Sequence, residues 1–275
     1  MKTLLISDLH IDYNNLVTMP LGYNSSFGFE KKLGKYDLVL IAGDTSGGYV
    51  YTDYYLKELR DTIKKEGYNT KVCVVGGNHL GYNFSIVYPK NESITNLRNE
   101  FSQAPVYFLE NNFVDFGEYV VIGCCLYTDF SQNSEVIKNV KNCINDFHFV
   151  SVKDGHTIRL VTPQDYIKWY NESVKYINKI CKKFKDKKVI VLTHFMPTPK
   201  LISEKYKGND FNPFFATDLE EIMLKNNNIK LWACGHSHDK NECMVGNTLV
   251  TLEPYGYFGE SGLQPSEYFG KEINI

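Results

Sequence analysis

The residues of this chain best suited to chemistry are a set of carboxylates, amides and imidazoles scattered from residue 8 to residue 238. They stand in short motifs: Ser7-Asp8-Leu9-His10, Gly43-Asp44, Gly77-Asn78-His79, a separate His194, and Gly235-His236-Ser237-His238. Imidazole mixed with carboxylate suits first-row transition ions such as Mn, Fe and Zn, whereas an all-oxygen set suits Mg or Ca better. Each motif alone says little. Gly43-Asp44 by itself reads as a turn in which the Asp bonds its own backbone. A single histidine beside a strand is, more often than not, structural.

Their common position gives them meaning. Five of the seven histidines (His10, His79, His194, His236 and His238) follow an apolar run that reads as a buried strand. The runs are 3–7, 37–42, 71–75, 119–125, 189–193 and 230–234, each rich in Val, Ile or Leu. Continuous rather than alternating apolar character predicts a sheet covered on both faces. In open α/β sheets, ligands bind beyond the carboxyl ends of strands. Asp8, His10, Asp44, Asn78, His79, His194, His236 and His238 can therefore meet at one mouth. A further pair, 242–245 and 248–252, is separated by Gly246-Asn247, a hairpin signal.

Helical patterns lie between the runs. Residues 53–65 carry Leu56, Leu59 and Ile63 at helical spacing. The spacing predicts a second helix over 163–184, capped by Thr162, with Pro163 in its first turn and a stripe of Tyr166, Tyr170, Val174, Ile177, Cys181 and Phe184. Thr217-Asp218-Leu219-Glu220 has capping-box spacing and predicts a helix opened by Thr217. This alternation argues for a layered α/β fold. With no repeat, linker or boundary in view, residues 1–275 are expected to form one domain. The polar, poorly periodic segment 129–161 is either an insertion over the site or a long surface connection.

Composition narrows the function. A formal net charge of -2 provides no global field to hold nucleic acid or an anionic membrane. No apolar run approaches the ~20 residues of a membrane span, and the first strand reaches Ser7-Asp8 too early for a secretory signal. The seven cysteines include no CxxC pair. Cys73, Cys124, Cys125 and Cys234 lie in strand-like runs and read as core thiols, which points to a reducing compartment. A cytoplasmic protein is the expectation.

As an ordered set, DxH, GD, GNH, a lone H and GHxH, these motifs resemble the calcineurin-like metallophosphoesterases. The resemblance implies a four-layer αββα sandwich and two divalent metal ions (Mn, Fe, Zn or Ni). It also implies a ligand set: Asp8, His10, Asp44 and His238 on the first ion, and Asp44, Asn78, His194 and His236 on the second, with Asp44 as the bridge. His79 would face the scissile phosphate as the catalytic acid, outside both coordination shells. The implied activity is hydrolysis of phosphate esters by in-line attack of a metal-bridging hydroxide, with a small-molecule or nucleotide phosphodiesterase or phosphatase as the leading form. A nuclease and a catalytically silent metal-binding scaffold are the alternatives. Near-neutral charge counts against the first, and the filled ligand positions count against the second.

Three departures from the family pattern matter. Leu80 stands where many members carry an acid after GNH, so the partner orienting His79 is a backbone carbonyl or a distant acid such as Asp12 or Asp53. Thr45-Ser46-Gly47 replaces the usual GDxxD or GDxxN. Gly76, not arginine, precedes Gly77, which argues against a phosphoprotein phosphatase. Substrate choice falls to the loops: residues 12–15, Tyr49 and Tyr51, and Tyr82 and Phe84. These aromatics could stack on a base, though packing against the core is the simpler expectation. Lys200, Lys205 and Lys207, and also His148 and His156, read as surface residues. Residues 253–260 are expected only to pack back on the domain.

Overall fold

The apolar runs become strands buried on both sides. The computed structural model describes residues 1–14, 16–18, 22–23, 26–82 and 89–275. In chain order the strands are β1 (Lys2–Ile6), β2 (Val17–Thr18), β3 (Gly22–Tyr23), β4 (Leu38–Ile41), β5 (Lys71–Val74), β6 (Ser102–Gln103), β7 (Val106–Phe108) and β8 (Asn112–Asp115). They continue with β9 (Tyr119–Gly123), β10 (Ser151–Asp154), β11 (Thr157–Leu160), β12 (Lys188–Leu192), β13 (Ile229–Cys234), β14 (Asn241–Val245), β15 (Thr248–Leu252) and β16 (Lys271–Asn274). The α-helices are α1 (Tyr49–Lys65), α2 (Lys90–Glu100), α3 (Ser134–Cys143), α4 (Asp146–Phe149), α5 (Pro163–Lys183), α6 (Asn212–Phe215) and α7 (Glu220–Lys225).

Two sheets of like design result. The first runs β16-β1-β4-β5-β7-β6, with β1, β4, β5 and β7 parallel and antiparallel strands at both edges. The second runs β14-β15-β13-β12-β9-β8, again with four parallel central strands between antiparallel edges.

Successive strand residues point to opposite faces, so each continuous run feeds two cores. In β4, Leu38 and Leu40 enter the core between the sheets, while Val39 and Ile41 face outward. In β12, Ile190 and Leu192 turn inward, and Val189 and Val191 face out. Helices α1 and α2 cover the outer face of the first sheet through Leu56, Leu59, Ile63 and Leu97. Helix α5 covers the second through Tyr166, Ile177 and Ile180. The layers are therefore αββα. Each such fully buried side chain is worth roughly 1.5–3 kcal/mol of transfer free energy.

Helix α5 has the predicted start. Thr162 and Asp165 form a capping box, and Pro163 occupies the first turn. Arg159 also pairs with Asp165; burial opposes ionisation of this carboxyl, but Arg159 and Thr162 prevail and pull its pKa down to about 2. Helix α1 begins at Tyr49, ahead of the expected residue 53, because Gly48 at φ 76° turns the chain straight into it. The capping box at Thr217 does not form. The Thr217 hydroxyl is drawn to Asp129 and Tyr170, and Asp218 accepts from Glu220 N instead. The helix starts later, at Glu220.

Segment 129–161 is a packed unit containing α3, α4 and the β10–β11 hairpin. Asn133 caps α3 by accepting from Glu135 N and Val136 N. Val136, Val140, Phe147, Val150 and Val152 join the outer core of the second sheet. Its elements run only four to ten residues, too short to build a periodic pattern.

Candidate active site

The carboxyl ends of β1, β4, β5, β12 and β13 converge, and every predicted site residue arrives at that point. Backbone bonds tie the loops together: Asp8 N donates to Gly43 O, His10 N to Asp44 O, Asp44 N to Gly76 O, and Gly235 N to His194 O. Asp8, His10, Asp44 and His236 all take left-handed backbone conformations, with φ of 53°, 41°, 46° and 72°. Strain of this kind is characteristic of functional sites. Two glycines make the crowding feasible. A Cβ on Gly43 would lie 2.4 Å from the His194 ring, and one on Gly77 would lie 2.1 Å from the Asp44 carboxylate.

Among the described residues, three groups of potential ligands have their donor atoms within 4.8 Å of one another: Asp8, His10 and His238; His10, Asp44 and His79; Asp44, His194 and His236. The outer two hold three of the four residues of each ligand set expected from the sequence, the first without Asp44 and the third without Asn78. The middle one includes His79, whose Nε2 lies 3.9 Å from Asp44 Oδ2.

Tautomers show that lone pairs point at one another. His194 Nδ1 lies 2.9 Å from the Ala42 carbonyl and can only donate there. Its Nε2 then faces two acceptors, Asn78 Oδ1 at 2.9 Å and Asp44 Oδ2 at 3.2 Å. The Asn78 amide nitrogen is committed to the Asp146 carboxylate, at 2.9 and 3.1 Å, so its oxygen is fixed toward His194. On the other side, His238 Nδ1 lies 2.6 Å from Glu260 Oε2, which leaves His238 Nε2 directed at His10 Nε2, 3.2 Å away. His236 Nε2 is buried with no partner among the described residues. Such a set of facing lone pairs calls for cations.

The charges agree. Burial holds the His10 and His236 imidazoles well below the usual histidine range. It also opposes ionisation of Asp44, yet His194 and His79 overcome it and keep this carboxyl well below the carboxylate range. Burial would lower His194 too, but Asp44 pushes it up to about 9. A pair of bound cations would take over the role of that proton, because ligation requires neutral imidazole and ionised carboxylate.

The sequence model of the calcineurin-like phosphoesterases matches residues 1–240. The chain belongs to this family. It is a phosphoester hydrolase of a family that depends on a dinuclear metal centre. An uncharacterized protein of Acanthamoeba polyphaga mimivirus is 26% identical over 270 residues, covering 93% of this chain and 91% of the relative. The crystal structure of a phosphopantetheinyl hydrolase from Mycobacterium tuberculosis superposes on this phosphoesterase with a TM-score of 0.66 at 16% identity, covering 99% of this chain and 95% of the other. A purple acid phosphatase from yellow lupin (Lupinus luteus) seeds superposes at 0.51 and 13% identity, covering 92% of this chain and 43% of its own. These two likenesses concern the fold.

Three residues at the site, Asp146, Tyr257 and Glu260, escape sequence reasoning, and Tyr82, expected only as a loop aromatic, joins them. Asp146, on α4, accepts from Asn78, Tyr82 and Tyr166. Tyr82 stacks on His79 with ring centres 4.0 Å apart. Tyr257 lies 4.6 Å from the His10 ring, with its hydroxyl 3.5 Å from His79 Nε2. Glu260 orients His238. Residues 253–260 thus do more than pack on the domain. Neither acid considered for His79 serves it: Asp12 accepts from Gly47 N, and Asp53 pairs with Lys57. Among the described residues, His79 Nδ1 has no hydrogen-bond partner.

The remaining candidates fall into place. Tyr49 and Tyr51 pack against the core beside the first sheet. Asn14 is buried and donates to the Leu9 and Gly256 carbonyls. Phe84 and Asn15 lie outside the described residues. Lys200, Lys205 and Lys207 pair with Glu220, Asp239 and Glu204. His148 and His156 are exposed.

Proposed function

We propose that residues 1–275 form one catalytic domain that hydrolyses small phosphate esters, nucleotides among them, and that segment 129–161 is an insertion over its site. In this reading Asp8, His10, Asp44 and His238 hold one divalent ion, and Asp44, Asn78, His194 and His236 hold the other. Mn, Fe, Zn and Ni all suit the mixed nitrogen and oxygen donors. When bound, two such ions neutralise phosphoryl oxygens and acidify water. The protein's own groups do the rest. His79, at the mouth and 3.5 Å from the Tyr257 hydroxyl, donates a proton from Nε2 to the leaving oxygen. Asn78 contributes an oxygen donor without adding negative charge. The observation that carries the reading is the convergence of seven donor side chains from five strand ends. Free cysteines buried in the core fit work in the reducing cytoplasm, and no described helix is long and apolar enough to cross a membrane.

The test is a substrate panel assayed with Mn, Fe, Zn, Ni or Mg added to metal-stripped protein. It should include aryl monoesters and diesters, nucleotides, a phosphopantetheinyl ester and phosphoserine peptides. Small esters are expected to turn over with a transition ion, and phosphoserine peptides poorly, since Gly76 replaces the arginine that marks the phosphoprotein branch. Hydrolysis of nothing on the panel, or selective turnover of the peptides, would contradict the reading.

Asp146 should act through Asn78. Asp146→Asn leaves a single uncharged oxygen to accept from Asn78 Nδ2 where two carboxylate oxygens now do, so Asn78 Oδ1 is held less firmly in its direction. Disrupting a partner that orients a ligand costs roughly 10–100-fold in metal affinity. Calorimetric titration with Mn should show that loss in a folded protein. Unchanged affinity would mean that Asn78 is held by other contacts.

A further inference from the structure

A cavity of about 510 Å³ opens directly from the metal ligands. Asp44, His79, His236 and His238 close one end of it. Its walls come from two places: the turn between α3 and α4, with Ile144 and Asn145, and the segment following β12, with Met196, Ile202, Phe211 and Phe215. The volume is that of a small-molecule site and exceeds what the reacting phosphate alone would fill.

The lining has an unusual charge pattern for an enzyme of anionic substrates. It contains no Lys or Arg. The lysines of the neighbouring loop are turned away onto acids: Lys200 to Glu220, Lys205 to Asp239 and Lys207 to Glu204. The residues outside the described set include no Lys or Arg either. Besides Asp44 at the ligand end, two carboxylates line the cavity, and both are engaged by the protein itself. Asp146 accepts from Asn78 and two tyrosines, and Glu260 from His238 and Tyr257 N. Neutral hydrogen-bonding capacity comes from Asn145, Asn209 and Asn212.

We propose that this cavity is a specificity subsite for an uncharged, largely apolar organic group, and that it selects against esters bearing a second anionic group. This rests on the small-ester reading above. The phosphate finds its counter-charge at the metal end. An additional carboxylate or phosphate on the organic part would lose water, meet Asp146 and Glu260, and find no cation; like-charge juxtaposition discriminates strongly between partners. Aliphatic and aromatic walls stabilise a neutral group by removing its apolar surface from water, and the asparagines satisfy an amide or hydroxyl on it.

Two phenyl phosphates provide the test, one with a para carboxamidomethyl group and one with a para carboxymethyl group. The methylene insulates the phenol, so leaving ability is matched and only the remote charge differs. With the Mn-loaded protein, kcat/KM for the amide ester is expected to exceed that for the carboxylate by about tenfold or more. The matching phosphonates, which cannot be hydrolysed, should show the same order in calorimetric affinity. Asn145→Lys sets a cation in the wall at an exposed position and should bring the two substrates close to parity. Equal handling of both by the unaltered protein, or a ratio that Asn145→Lys does not move, overturns the proposal. Discrimination in binding without turnover of either ester would uphold the subsite and contradict the small-ester reading. Turnover without discrimination would do the reverse.

Discussion

Alanine at position 79 is expected to leave both metals in place and to remove the proton that the leaving oxygen needs. The size of the loss should track the leaving group. Nitrophenolate departs readily as an anion, so nitrophenyl esters should lose little. An alkoxide such as a ribose oxygen is far more basic, so its esters should lose most, approaching the ~10²–10⁴-fold range of general acid catalysis. A leaving-group series with chemistry shown to be rate-limiting reads this directly. Equal slowing of aryl and alkyl esters would remove His79 from the acid role. Loss of a metal would make it a ligand instead, which its place in a potential ligand group with His10 and Asp44 also fits. The stacked Tyr82 ring and the nearby Tyr257 hydroxyl fix the imidazole against the site, in place of the carboxylate missing at Leu80.

Asp44→Asn should have the broader effect. The Asp44 carboxylate has donors of both expected ligand sets within 4.8 Å, His10 in one group and His194 and His236 in the other. Oδ1 accepts from His79 N at 3.0 Å, while Oδ2 faces His194 at 3.2 Å and His79 at 3.9 Å. Asparagine keeps the shape and removes the charge. Breaking a buried charge pair from one side costs about 3–5 kcal/mol, or roughly 10²–10⁴-fold in affinity, and here it should fall on both ions. His10→Ala should weaken chiefly the first. Competition against a metal-binding dye separates the two cases: two affinities shifted for Asp44→Asn, one for His10→Ala. Equal weakening of both ions by His10→Ala would refute the division of ligands.

The residues proposed as metal ligands were legible because each follows an apolar strand, and a strand end is a place that can be read locally. Asp8 after β1 and His194 after β12 are examples. The layered architecture was legible for the same reason, since continuous runs such as β4 and β12 must be covered on both faces. The supporting residues carry no such mark. Asp146 meets Asn78 across 68 positions, from a four-residue helix. Glu260 reaches His238 from a loop without periodicity. Tyr257 is one of 20 tyrosines, and only the fold tells it from those packed in the core. Thr217 failed as a cap for a related reason. Local spacing was satisfied, but Asp129 and Tyr170, distant in sequence, compete for its hydroxyl.

Metal content tests the central claim most directly. Protein stripped of metal, dialysed against excess Mn and then freed of unbound ion should carry two Mn per chain by elemental analysis, and Asp44→Asn treated in parallel should carry fewer. A content that stays at zero in saturating Mn, Fe, Zn and Ni would contradict the account, because seven converging donor side chains would then hold no ion at all.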